Sequence, residues 1–61
     1  MSRDTNTITG LLDHIEPMTI DELAFESGIP EGRVRVAVKY LQEVGQIKRF
    51  ESSYPASWVL A

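Results

Sequence analysis

The 61-residue chain contains no cysteine and a single histidine. Without thiols it can form neither a disulfide nor a thiolate metal site. His14 alone cannot assemble a zinc centre, and its place near the end of a helix, beside Asp13, suits an interaction with the helix dipole. No apolar run approaches the roughly 18 residues of a membrane span. The opening stretch MSRDTNTIT lacks the basic start and long apolar segment of a secretory signal. These absences predict a soluble intracellular domain, cytoplasmic and without a membrane partner. Catalytic chemistry is equally scarce. Ser52, Ser53 and Ser57 have no base beside them, and no glycine-rich phosphate loop exists. The acidic pair Asp21–Glu22 has a structural explanation in helix capping. The sequence therefore predicts no enzyme and no cofactor. Its length allows one domain, 1–61, that buries only about 60% of the surface of its unfolded chain.

Positive charge is also in short supply, with six Lys and Arg against nine Asp and Glu and a net charge of -3. What there is lies in one place. Residues 1–32 carry Arg3 against seven acids, a net of -6, whereas residues 33–61 carry five basic residues against Glu43 and Glu51, a net of +3. Arg33, Arg35, Lys39, Lys48 and Arg49 all fall between positions 33 and 49. Such asymmetry points to an anionic partner for one face of the molecule.

The apolar spacing divides the chain into three helices and two strands. Ile8, Leu11, Leu12 and Ile15 form one stripe of a first helix over about Asn6 to Ile15. Thr5 is its expected N-cap, and residues 1–6 are an expected flexible segment. Gly10 weakens this helix and allows a neighbouring helix to come close, and Pro17 ends it. Thr19-Ile20-Asp21-Glu22 is a capping box for a second helix, with Met18 and Leu23 as a hydrophobic staple. Gly28 suits the left-handed position after that helix. A third helix follows Pro30 and runs to about Val44, with Val34, Ala37, Val38, Leu41 and Val44 on its apolar side and Gly45 at its end. Residues 46–51 and 57–60 then alternate as strands of a hairpin, with Ile47, Trp58 and Leu60 facing inward. In that loop Tyr54–Pro55 is an X-Pro bond able to sample cis.

Residues Ile20 to Lys39 resemble the twenty-residue helix-turn-helix pattern. Leu23 and Ala24 supply an apolar and then a small residue mid-way in the first helix of the motif. Gly28 and Ile29 supply the turn glycine and the apolar residue after it, and Val34 the apolar residue early in the second helix. The hairpin behind them resembles the wing of winged helix-turn-helix domains. Two positions depart from the pattern: Ser27 stands where an apolar residue is frequent, and Ala37 is smaller than the usual branched residue. The resemblance spans about Ile8 to Leu60. It implies an α+β fold, a small winged helix-turn-helix with three helices followed by a two-stranded β-hairpin wing.

For function, the resemblance implies double-stranded DNA as the partner and transcriptional regulation as the role, with association to the nucleoid. The third helix would enter the major groove with its exposed side, which carries Gly32, Arg33, Arg35, Val36, Lys39 and Tyr40. Arg33 or Arg35 would donate to guanine, Val36 would touch a thymine methyl, and Gly32 would let the backbone come close. Lys39, Lys48 and Arg49 suit phosphates. Alternatively, Arg33 and Arg35 pair with Glu31 and the acids of the second helix, and Lys48 and Arg49 guard an edge strand. The wing, residues 51–57, has no basic residue, so one copy would bind DNA modestly and act with a second copy or a partner protein. Phe25, Phe50 and Tyr54 are candidates for such a partner surface. A winged helix that binds protein rather than DNA is the competing expectation.

Overall fold

The computed structural model describes residues 2–51 and 54–61. Its elements are α1 (Ser2–His14), β1 (Met18–Thr19), α2 (Ile20–Ser27), α3 (Glu31–Glu43), β2 (Ile47–Arg49) and β3 (Ser57–Leu60). Helix α2 begins where the sequence signals it. The Glu22 N–H donates to Thr19 Oγ1 (3.1 Å), and Glu22 Oε1 accepts from the Thr19 N–H (2.8 Å). Gly28 closes the helix with φ 73°, and its N–H donates to the Ala24 carbonyl at 2.9 Å. That left-handed turn suits glycine, since no Cβ is there to clash. Ser27 has a use of its own: its hydroxyl accepts from the Ile29 N–H at 3.0 Å and holds the turn into α3. The departure from the apolar pattern at this position thus supplies a polar clasp instead of a packed side chain.

Three elements depart from expectation. Helix α1 starts at Ser2, not Asn6, so Thr5 is inside the helix and is buried rather than capping it. The stretch expected to be flexible is helical over residues 2–6, and Asp4 is buried with it. The sheet has three strands rather than two, in the order β1-β3-β2 with both pairings antiparallel. Met18 and Thr19 enter α2 in extended conformation and pair with Trp58 and Ser57. Two residues are too few to show an alternation, and Thr19 serves both as strand end and as N-cap. The strand β2 is also shorter than the expected 46–51. Beyond β1, the Leu60 N–H donates to Glu16 Oε2 at 3.0 Å, so a side chain continues the edge where the backbone partner runs out. Glu16–Pro17 and Tyr54–Pro55 are both cis.

The core lies where all three helices meet the sheet. Ile8 and Leu12 of α1, Leu23 of α2 and Val34 of α3 are fully buried, with Met18 and Ile47 beneath them. Trp58 and Leu60 pack on this cluster only in part. The predicted stripes overreach at both helix ends. Ile15 is 50% exposed and Val44 49% exposed, because α1 ends at His14 and α3 at Glu43. Past those points the 3.6-residue spacing no longer aims a side chain inward. No neighbour comes within 4 Å of the position a side chain would take at Gly10, so it serves no close helix approach. Among the described residues, no helix is long and apolar enough to cross a membrane.

Candidate nucleic-acid interface

Burial of Val34, Ala37, Val38 and Leu41 fixes the rotation of α3. At 100° per residue, this leaves Gly32, Val36, Lys39 and Glu43 furthest from the core. Arg35 and Gln42 then lie on one flank, and Arg33 and Tyr40 on the other. All eight are exposed, Val36 by 53% and Tyr40 by 47%. No protein atom stands over Gly32. The outward side of the helix is therefore open along its length.

The two flanks have different neighbours. Arg35 and Lys39 border a cleft shared with Gln42 and Trp58, between α3 and the hairpin. The Trp58 indole N–H donates to Gln42 Oε1 at 3.2 Å and ties β3 to that flank. Arg35 also reaches a second cleft, lined by Thr19, Asp21, Pro55 and Ala56. In the sheet Arg49 lies opposite Trp58, on the same face as Ile47. Lys48 pairs with Val59 and faces the other way. The structure thus brings Arg35 and Lys39 to one cleft, while Lys48 and Arg49 border a separate one of about 500 Å³ together with Glu16 and Phe50.

Arg33 is committed elsewhere. Its Nε donates to Asp4 Oδ2 (3.0 Å) and its Nη2 to Asp4 Oδ1 (2.7 Å), a bidentate pair between α3 and α1. The partner is neither Glu31 nor an acid of the second helix, the two alternatives expected from the sequence. Hydrogen bonds from Arg33 hold the Asp4 carboxyl below its ordinary value, against the opposing effect of its own burial. The same bonds raise the Arg33 guanidinium. Asp4 is out of water while the Arg33 side chain is 61% exposed, so the pair holds the first turn of α1 to the start of α3. Arg35 carries the expected i,i+4 partner: its Nη2 donates to Glu31 Oε2 at 2.8 Å and its Nε to the same oxygen at 3.2 Å. Those bonds lower the Glu31 carboxyl. Both side chains of this pair face water, where such contacts are readily exchanged for others. Among the described residues, Lys39 and Lys48 take part in no ion pair.

Two of the three aromatic candidates lie at different clefts. Phe25 is 84% exposed and lies in a cleft beside α2, whereas Phe50 borders the cleft on the hairpin. Tyr54 is 97% exposed on the loop between β2 and β3. Ser52 and Ser53, counted in the uncharged wing tip, lie outside the described residues. Sequence reasoning missed Asp4 as the partner of Arg33, because 29 positions separate them and no local pattern links them. It also missed Gln42 as the contact of Trp58, although Gln42 shares a helix flank with Arg35 at i+7. No protein-family model matches this chain, and no curated protein matches it in sequence.

Proposed function

We propose that this domain binds double-stranded DNA in a sequence-specific manner, as a small transcriptional regulator, with α3 lying in the major groove. The observation that supports this reading best is the open outward side of α3. There Arg35, Val36 and Lys39 are exposed within little more than one helical turn, beside a hairpin. Arg35 exchanges Glu31 for a guanine edge, Val36 meets a thymine methyl, and Lys39 and Arg49 approach phosphates. Arg33, held by Asp4, positions α1 against α3 and makes at most a phosphate contact through its exposed edge. The acids near this surface, Glu31 and Glu43, keep the affinity of a single copy modest. Useful occupancy of a site then requires a second copy or a partner.

Affinity for a duplex should fall steeply with salt. Two or three phosphate contacts, from Lys39, Arg49 and the exposed edge of Arg33, give a log–log slope of about -2 to -3 for B-form DNA. Fluorescence anisotropy of a labelled duplex over a salt series measures it directly. A slope near zero, or no binding at low salt, would remove the electrostatic basis of the reading.

A further inference from the structure

The cleft beside α2 belongs to a different surface. Ile15 and Met18 line it from the segment before α2, and Asp21, Glu22, Phe25 and Glu26 line it from α2 itself. Its volume is about 250 Å³, under the roughly 300–1,000 Å³ of small-molecule sites. It therefore suits one or two side chains of a macromolecule. Met18 is buried beneath it, while Ile15 and Phe25 stand half and almost fully exposed at its walls. The fold does not require an aromatic here, since Ile20 and Leu23 already fill the core side of α2. Three carboxylates surround Phe25: Asp21 one turn earlier, and Glu22 and Glu26 one turn apart beside it. None of the six lining residues is basic.

Charge selects the occupant. Two copies meeting symmetrically through this cleft would set three carboxylates against three, and like charges across an interface are strongly disfavoured. Head-to-tail pairing onto α3 of the next copy would satisfy the charges, but it closes only for particular rotations and would cover Arg35 and Lys39. A nucleic acid would be repelled. We infer that the cleft docks a cationic amphipathic segment of another protein. An apolar side chain of that segment seats over Met18 against Phe25, and its Lys or Arg residues face Asp21, Glu22 and Glu26. Phe25 supplies the anchor, and the carboxylates set orientation and encounter rate. Only Asp21 also borders the cleft beside Arg35. A partner seated here therefore leaves the outward side of α3 uncovered.

The test uses the full chain and two synthetic helical peptides with leucine at i, i+3, i+4 and i+7, one carrying lysine and one glutamate at the remaining positions. Amide-shift mapping should show the lysine peptide perturbing Ile15, Met18 and residues 21–26, with no response to the glutamate peptide. Phe25→Ala and Glu26→Lys should each weaken the lysine peptide by about tenfold. Phe25→Ala is a surface change and keeps the fold, which the same spectra report. Duplex binding by Phe25→Ala should match the parent, so this result and the α3 reading stand or fall separately. Four outcomes overturn the inference: equal binding of both peptides, perturbation centred elsewhere, full affinity in Phe25→Ala, or concentration-dependent shifts of the same residues without peptide. The last would make a second copy the occupant.

Discussion

Replacing Leu23 with alanine should all but unfold this domain. Leu23 is fully buried on α2, in one cluster with Met18, Leu12 and Val34. Truncating a leucine in such a place costs about 2–5 kcal/mol, from lost transfer energy and the cavity left behind. At about 0.05–0.15 kcal/mol per residue, a 61-residue chain has only about 3–9 kcal/mol in total. No disulfide is there to limit the unfolded state. A melting curve followed by circular dichroism should show the midpoint falling by about 10 °C or more, or the cooperative transition vanishing. A shift within about 2 °C would mean that α2 does not pack on α3 in the way described. Phe25→Ala, two positions away on the same helix, provides the contrast, because its side chain covers almost nothing.

Replacing Arg35 with alanine should abolish preference for the best duplex over a scrambled one while leaving the fold intact. A bidentate contact from arginine to guanine is worth about 1–3 kcal/mol of discrimination, or about five- to 150-fold in relative affinity. In the free protein Arg35 holds Glu31 at the surface, so its removal leaves only an exposed carboxylate, with no buried charge stranded. Lys39→Ala should instead weaken all duplexes alike and flatten the salt slope by about one. A duplex selected from random sequence supplies the specific site, and competition anisotropy reads both quantities. Unchanged discrimination by Arg35→Ala would mean that this side chain does not read bases.

The parts of the fold legible in the sequence were those held by local chemistry. Thr19 and Glu22 capped α2 with both expected bonds, and Gly28 took the left-handed turn, because each device acts within four residues. The buried side of α3 followed its helical spacing from Val34 to Leu41. The remainder depended on distant partners. The first turn of α1 lies against α3 through the Asp4–Arg33 pair, so Thr5, a boundary by its local pattern, is interior. Strand β1 exists because Trp58 and Ser57 come alongside Met18 and Thr19. Of the candidate interface, the exposure of Arg35, Val36 and Lys39 followed from the position of the core stripe. The placing of Lys48 and Arg49 at a cleft apart from Arg35 and Lys39 did not, because it depends on how the hairpin packs beside α3. Phe25 and Phe50 are exposed, as their spacing from the core residues of their elements predicts, but they border different clefts, which local spacing does not relate to one another.

The most direct test is a backbone amide titration of the whole chain with a generic duplex at low salt. Contact through the outward side of α3 predicts shifts that begin at residues 31–40 and extend to Arg49, while Phe25 and Glu26 stay in place. Silence across 31–40, with shifts confined to α2 or to the outer face of the sheet around Lys48, would contradict it.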